Sequence, residues 1–427
     1  MRERPTVANM VNTQPLPKMF RARQVFPRPK IEPEEIPNVI DILLSDEKFA
    51  SQVKPGMQIA ITAGSRGVAN VALMTRSIAD FCKKQGAHPY IVPTMGSHGG
   101  ATAEGQLEIL ESFGITEETM DCPIKSSMDV VKVGVNEDGV DVFVDKHAMA
   151  ADGIIVAGRI KPHTCFRGPY ESGIMKMLAI GLGKQYGAEV CHEAGMKHMA
   201  RLVPLFGKVI LENSPVLFAI GAIENAFDET CKIVVLNADE IEEQEPALLE
   251  EAKANMPKIL VDACDVLIVD KIGKNFSGDG MDPNITGTFC SPFASGGIAA
   301  QHVCVLDLSD ETHGNGIGIG MASCTTKRAF EKLDLAAMYP NAFTSTILLG
   351  VKIPVIMESD KEAIQLCVKV CNEIDKANPK IVRIPNSLHV GHIMLSEAFY
   401  EEAKNHPDIV IESEPVYLDF DEDGNLW

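Results

Sequence analysis

GMQIAITAGSRG, residues 56–67, decides the fold class, because a short apolar run ends there in a polar loop that contains glycine. The apolar spacing of residues 68–85 predicts a helix, and Gly86 stands where a helix C-cap is expected. The pattern recurs in PYIVPTMGSHGGAT (89–102), which leads into a predicted helix near 103–113. Strands that alternate with helices in this way predict an α/β fold with mostly parallel sheets.

The chain is long enough for more than one domain. Residues 1–35 are rich in proline and are typical of an extended N-terminal arm. Residues 36–256 and 257–427 are predicted to form two α/β domains, because the second half has strand signals of its own, such as DVLIVDKIGKN (265–275). The boundary is placed after an acidic helical stretch around 239–256. We expect the active site in the cleft between the two domains.

The composition excludes several classes of protein. The chain has 39 Lys and Arg against 59 Asp and Glu, a net charge of -20, which argues against nucleic acid or an anionic membrane as the main partner. A membrane-spanning helix needs ~20 consecutive apolar residues, and no stretch of this sequence approaches that length. The first residues lack the apolar core of a signal peptide, so a cytoplasmic location is expected. The eleven cysteines include no CxxC pair, which favours reduced, mostly buried thiols.

Further strands place polar residues at one edge of the first sheet. Residues 130–145 alternate around an Asp-Gly turn, which predicts a hairpin, and GIIVAGR (153–159) predicts a third buried strand. Ligands of parallel α/β sheets bind outside the carboxyl ends of the strands. The polar residues that follow three successive strands are Ser65 and Arg66, Ser97 and His98, and Lys161 and His163.

The GSHGGAT loop (96–102) combines a histidine with an anion-binding pattern. Gly99 and Gly100 permit positive φ and close approach of the backbone, and the start of the following helix favours an anion. His98 lies within this turn. It can serve in catalysis, or it can simply satisfy the hydrogen bonds of a loop; the residues leave both interpretations open.

Two further residues can carry chemistry. Lys176 lies among Ile174, Met175, Met177 and Leu178. A lysine in such surroundings either becomes a nucleophile through a lowered pKa or extends its amine to water without a chemical role. His192 can ligate nickel, copper, zinc or iron.

Two nucleotide-binding motifs are incomplete. HGNGIGIG (313–320) lacks the third glycine of a dinucleotide-binding loop in either register. AIGLGKQ (179–185) has Gln185 where a phosphate-binding loop requires Ser or Thr. Neither motif therefore predicts a dinucleotide or ATP site.

The order of these features resembles the nickel-pincer lactate racemase family. The resemblance covers roughly residues 55–200: a glycine-rich turn with His98, a strand-end Pro-His at His163, Lys176 in a G-x-x-K-x-x-x-x-G-x-G run, and His192 sixteen residues later. It implies an isomerase that uses a nickel-pincer nucleotide, a pyridinium 3,5-bisthiocarboxylic acid mononucleotide carrying nickel. Separate cofactor-biosynthesis proteins would be its partners.

By this resemblance, Lys176 would tether the cofactor through a thioamide and His192 would ligate the metal. Ser97, Gly99 and Gly100 would contact the cofactor from the glycine-rich turn. The domain at 36–256 would then be the cofactor-binding domain.

The resemblance also implies roles toward the substrate. His98 and His163 would be the two acid/base residues, Arg66 would hold the substrate carboxylate, and Lys274 would contribute from the second domain. The chain also departs from the lactate enzymes: Gly64 stands where they carry an acidic residue, and Tyr339 and Phe343 are the nearest candidates for the aromatic residue expected to wall the pocket. Together these departures predict a wider or more polar pocket, which would suit a larger 2-hydroxy acid.

The predicted function is racemisation or epimerisation of a 2-hydroxy acid, lactate-like or larger, by proton-coupled hydride transfer to the nickel-pincer nucleotide. An imidazole near its ordinary pKa is suited to take the hydroxyl proton, and inversion needs such a group on each face of the carbon. One alternative is a metal-dependent hydrolase or lyase, in which His192 binds a plain divalent ion and His98 acts as base. Another is a protein that binds the cofactor or a carboxylate without catalysis.

Overall fold

The structure is a computed structural model that describes residues 5–65 and 67–427, apart from the side chains of residues 5, 6, 341 and 344. The described chain divides into two compact units. We call Arg28–Met256 the central unit. The terminal unit consists of the described part of Met1–Pro27 and of Pro257–Trp427.

The strands are numbered along the chain: β1 Met19–Gln24, β2 Gln58–Ala63, β3 His88–Pro93, β4 Val130–Val135, β5 Asp141–Asp145, β6 Gly153–Arg159, β7 Val216–Glu224, β8 Thr230–Asn237, β9 Ala263–Ile272, β10 Ala299–Leu308, β11 Cys324–Thr326, β12 Val355–Met357, β13 Ile381–Ile384, β14 His392–Ser396 and β15 Ile409–Ile411. The helices are α1 Pro5–Val11, α2 Ile36–Leu44, α3 Glu47–Ala50, α4 Val71–Lys84, α5 Ala103–Ser112, α6 Glu117–Met120, α7 Lys146–Met149, α8 Ile174–Lys176, α9 Lys184–His192, α10 Met199–Asn213, α11 Ile241–Asn255, α12 Pro283–Thr286, α13 Lys327–Glu331, α14 Leu335–Ser345, α15 Asp360–Val370 and α16 Tyr400–Asn405.

The central unit is built on a sheet with the strand order β3-β2-β6-β7-β8. Strands β3, β2, β6 and β7 are parallel, and only β8, at the edge, runs antiparallel to its neighbour among these described strands. Ile59 and Ile61 of β2 pack with Ile155 of β6 and with Ile78 of α4 in one core. The predicted α/β fold with mostly parallel sheets is confirmed.

Local signals in this unit explain several element ends. Helix α4 is followed by Gly86 at φ +80°, the left-handed conformation that glycine adopts after a helix. Strands β4 and β5 form the predicted hairpin as a separate two-stranded sheet. Its turn is closed by Asn136, whose Oδ1 accepts from the backbone N–H groups of Asp138 and Val140, each at 3.0 Å.

The terminal unit contains the sheet β12-β11-β10-β9-β13-β14-β1-β15. The strands from β12 to β13 are parallel, and β14, β1 and β15 pair antiparallel. The described part of the unit is therefore a second mixed α/β body.

Residues 1–35 differ from the extended arm expected for them. Strand β1 is an inner strand of the terminal sheet, between β14 and β15. Phe20, Ala22 and Gln24 are buried, whereas Arg21 is exposed, so side chains alternate between the two faces of the sheet. This period of two marks a strand, although the prolines nearby suggest an extended arm. From Arg28 onward the chain belongs to the central unit.

Over the described residues, no helix combines the length and the apolar character that crossing a membrane would require.

Candidate active site

His98 lies in a tight turn that follows β3 and rests on helix α5. Gly99 has φ +69°, and a Cβ atom at this position would come within 2.5 Å of the carbonyl carbon of Gly105. Only glycine therefore allows the turn to lie against the first turn of α5. Thr102 caps the helix, since its Oγ1 accepts from the backbone N–H of Gly105 at 3.0 Å.

The two glycines of the turn differ in their surroundings. Gly99 is required by the packing on α5, whereas a Cβ atom at Gly100, which has φ +63°, would meet nothing within 4 Å. Ser97 and His98 are both half-buried. Contact of Ser97, Gly99 and Gly100 with a cofactor stays a prediction.

The turn after β3 meets the loop after β2. Ser65 Oγ forms a short hydrogen bond with His98 Nδ1. Strand β2 lies between β3 and β6, so its carboxyl end is the middle of the three predicted strand ends. Arg66 lies outside the described residues.

His163 lies in a loop after β6 that is held by a buried carboxylate. Glu171 is 1% exposed, and its Oε2 accepts from the backbone N–H of His163 at 2.8 Å. Arg167 donates to the same oxygen at 3.2 Å, and Lys253 Nζ lies 3.0 Å from Oε1. A buried carboxylate is costly unless it is paired and hydrogen-bonded, and here it is both. Glu171 thus fixes the backbone at His163.

The imidazole of His163 is held by its own loop. The backbone N–H of Cys165 donates to His163 Nδ1 at 3.0 Å. The ring of Phe166 lies 4.3 Å from the imidazole, centroid to centroid. Because Nδ1 accepts this bond, the proton of the neutral imidazole is on Nε2. His163 therefore carries its proton on Nε2.

Lys176 ends the short helix α8, whose start is capped by a distant glutamate. Glu245 of α11 is 1% exposed and accepts from the backbone N–H of Met175 at 2.9 Å. A Cβ atom at Gly173 would lie 2.0 Å from Glu245 Oε1, so glycine leaves room for the carboxyl group. Burial raises the pKa of Glu245 to about 7.

The segment after Lys176 crosses the carboxyl ends of the strands. Residues Met177–Gly181 form a π-helical turn, a rare feature that is often found at functional sites. A Cβ atom at Gly64 would lie 3.0 Å from Met177 Cε, and one at Gly158 would lie 3.3 Å from it. The methionine therefore occupies the space that Gly64 leaves, so a wider pocket does not follow from that glycine alone.

His192 ends helix α9 and is oriented by the helix itself. Its Nδ1 donates to the carbonyl oxygen of Ala188 at 2.6 Å, which leaves the lone pair on Nε2. Burial lowers the pKa of His192, and the ammonium group of Lys176 acts in the same direction, while the hydrogen bond to Ala188 opposes them. The lowered pKa favours the neutral imidazole, and Lys176 lies close enough to His192 to act on it electrostatically.

The structure therefore brings four of the predicted residues to the same end of the central sheet: His98, His163, Lys176 and His192. Lys274 belongs to the terminal unit, in the loop after β9, where its backbone N–H donates to Thr312 Oγ1 at 3.0 Å. Its predicted contact with substrate stays a prediction.

Sequence reasoning missed Glu171 and Glu245, which hold the backbone around His163 and Lys176. Glu171 could have been suspected, because it lies in the same loop motif as His163. Glu245 carries no such signal, since it stands in an acidic helix with many exposed carboxylates.

Comparison with known proteins relates the N-terminal part of the chain to lactate racemases. Residues 6–202 match the family model of the lactate racemase N-terminal domain. The lactate racemase apoprotein from Thermoanaerobacterium thermosaccharolyticum has a similar fold, with a TM-score of 0.52, 14% identity, and coverage of 84% of this chain and 93% of that chain. A structural-genomics protein from Thermotoga maritima aligns with a TM-score of 0.47 and 12% identity over 66% of this chain and 72% of that chain. No curated protein matches. Residues 6–202 thus form a domain of the lactate racemase N-terminal family.

Proposed function

We propose that this protein racemises or epimerises a 2-hydroxy acid, lactate-like or larger, with a nickel-pincer nucleotide as its cofactor. The observation that carries the proposal is the placement of two histidines at the carboxyl ends of the two strands that flank β2. His98 follows β3 and His163 follows β6. Two strand spacings separate those strand ends by about 10 Å.

The hydrogen bonds of the two histidines suit proton transfer at an inverted carbon. The proton of the His163 imidazole is on Nε2, because the backbone N–H of Cys165 donates to Nδ1. If Ser65 Oγ accepts from Nδ1–H of His98, the lone pair of His98 is on Nε2, where it can take the proton of a substrate hydroxyl. One loop then offers a donor while the other offers a base.

The residues around Lys176 fit the proposed cofactor. The bond from Nδ1 to Ala188 leaves the lone pair of His192 on Nε2, where it could bind a metal ion. An amine lies within electrostatic range of this histidine. We propose that Lys176 tethers the nucleotide and that His192 ligates its nickel. When bound, such a nucleotide supplies an electron-poor ring that accepts the substrate α-hydrogen with its electron pair.

The cofactor assignment is tested by intact mass and bound-metal analysis of protein made in cells that synthesise the nucleotide. We expect nickel and a mass adduct in the unmodified protein, loss of the adduct in Lys176→Ala, and loss of nickel in His192→Ala. Lys197→Ala, which changes an exposed lysine close by, is the matched control and should keep both. Another divalent metal with no adduct would replace the proposal by the metal-dependent hydrolase or lyase.

The catalytic assignment is tested on each enantiomer separately. Because two enantiomers are equally stable, kcat/KM for the two directions of racemisation must be equal in every variant, so overall rates do not separate the histidines. Trapping of the 2-keto acid formed from one pure enantiomer does separate them. We expect His98→Ala to abolish trapping from one enantiomer and His163→Ala from the other. Undiminished trapping from both enantiomers in either variant would refute the pair of proton-transfer groups.

A further inference from the structure

A buried lysine that has no role in the proposed chemistry lies behind the His98 turn. Lys184, the first residue of α9, is fully buried and has φ +55°, a backbone conformation that L residues seldom adopt. Its Nζ donates to the carbonyl oxygen of Pro93 at 2.8 Å and to Gln106 Oε1 at 2.6 Å. Asp145, which is also fully buried, has its Oδ2 3.6 Å from Nζ.

Gln106 links Lys184 to the turn that carries His98. It is fully buried on α5, and its Nε2 donates to the carbonyl oxygens of Gly96 at 3.0 Å and of His98 at 3.2 Å. The oxygen of the amide therefore faces Lys184, and both of its N–H groups face the turn. A Gln side chain offers two donors and one acceptor oxygen, and all three are used here.

Packing alone does not explain these polar groups. Burial lowers the pKa of Lys184 and raises that of Asp145, so both charged forms are disfavoured by their surroundings. Apolar residues of similar volume commonly stabilise a core as well as a buried ion pair does or better. The hydrogen bonds that Lys184 and Gln106 make to backbone carbonyl oxygens instead favour one geometry. The geometry defined here is that of the backbone on both sides of His98.

The position of Lys184 in the chain adds a second link. It begins the helix that ends at His192, and it is hydrogen-bonded to the last residue of β3. The same side chain thus fixes the start of α9 and, through Gln106, the turn that carries His98.

We propose that Lys184 and Gln106 are positioning residues that hold the His98 turn in a set relation to helix α9 and so to His192. This inference rests on the proposed function in one respect, namely that His98 acts on the substrate. Neither Lys184 nor Gln106 is assigned contact with the reacting atoms.

The decisive variant is Gln106→Glu. A carboxylate keeps the acceptor for Lys184 and forms an ion pair with it, but it cannot donate to the carbonyl oxygens of Gly96 and His98. The contact to the lysine is retained while the contact to the turn is lost. Gln58→Glu makes the same chemical change at an exposed position at the opposite end of the sheet, the first residue of β2, and is the matched control.

Two measurements are made on each variant. In the cofactor-free protein, we expect amide hydrogen exchange of residues 95–102 to rise at least about tenfold in Gln106→Glu, since two hydrogen bonds are lost, with little change in β2 and β6. In the loaded enzyme, we expect kcat to fall at least about tenfold, with KM within about twofold and with nickel content unchanged. Gln58→Glu should match the unmodified protein in both.

A second variant tests the role of Lys184. Lys184→Met alone leaves Asp145 buried without its partner, so the double variant Lys184→Met/Asp145→Asn, which removes both charges, is tested beside it. We expect faster exchange of the same turn residues in the double variant.

The inference is overturned if the turn exchanges at the original rate in Gln106→Glu, or if exchange rises equally throughout the central unit, which would indicate a general structural role. Failure of the proposed function gives a different result. In that case the unmodified protein inverts no 2-hydroxy acid, while the exchange comparison still decides whether Gln106 holds the turn.

Discussion

Glu245→Gln tests the buried cap of the helix that carries Lys176. The carboxyl group is 1% exposed, accepts from the backbone N–H of Met175 at 2.9 Å, and has its pKa raised by burial to about 7. In the unfolded chain the same group has a pKa of about 4.5. Glutamine is close in shape, can accept the same bond, and does not titrate.

The sign and size of the effect follow from this difference. Because the folded protein holds the proton more tightly, Glu245 contributes stability that is fully present below about pH 4.5 and is lost as the pH rises through about 7. At 1.36 kcal/mol per pH unit, the whole effect amounts to about 3 kcal/mol, of which about 2.5 kcal/mol falls between about pH 5 and about pH 8. The free energy of unfolding of the glutamine variant should lack this contribution.

The assay compares the free energy of unfolding of the central unit in the two proteins across this pH range. Trp427, the single tryptophan, belongs to the terminal unit, so its fluorescence does not report on the central unit. Urea-dependent hydrogen exchange of β2 and β6 does report on it. Glu243→Gln, which changes an exposed glutamate of the same helix, is the control.

We expect the difference in unfolding free energy between Glu245→Gln and the unmodified protein to shift by about 2.5 kcal/mol in favour of the variant from about pH 5 to about pH 8. A difference that stays constant with pH would refute the reasoning, because it would mean that the buried carboxyl group has the same protonation in the folded and unfolded states.

Three further predictions concern the loops around the site. Gly99→Ala should destabilise the central unit by roughly 2–5 kcal/mol, because its Cβ would meet the backbone of α5, whereas Gly100→Ala faces open space and should cost about 1 kcal/mol; urea unfolding distinguishes the two. Glu171→Ala should cost roughly 1–3 kcal/mol for each buried donor left without a partner and should speed proteolysis near His163; unchanged proteolysis would contradict the role of this carboxylate. Thr102→Ala should cost about 1 kcal/mol through loss of the helix cap, and an unchanged unfolding midpoint would count against that cap.

Much of the local architecture could be predicted from the sequence. The alternation of apolar runs with helical spacing predicted β2, β3 and β6 and the loops that follow them, and the Asp-Gly turn predicted the hairpin β4–β5. These signals are local, because hydrophobic period and turn chemistry depend on residues that are close in the chain. They were sufficient to bring His98 and His163 to one end of a parallel sheet.

The tertiary structure alone decided how those residues are held. Glu245 meets Met175 across 70 positions of sequence, and Lys184 meets Gln106 across 78. No local pattern reports such pairs, since a buried glutamate in an acidic helix has the same sequence signal as an exposed one. The placement of β1 is of the same kind, because its partners β14 and β15 lie at the far end of the chain. The sequence determined which groups follow the carboxyl ends of the strands, and long-range packing determined their orientation and their electrostatic surroundings.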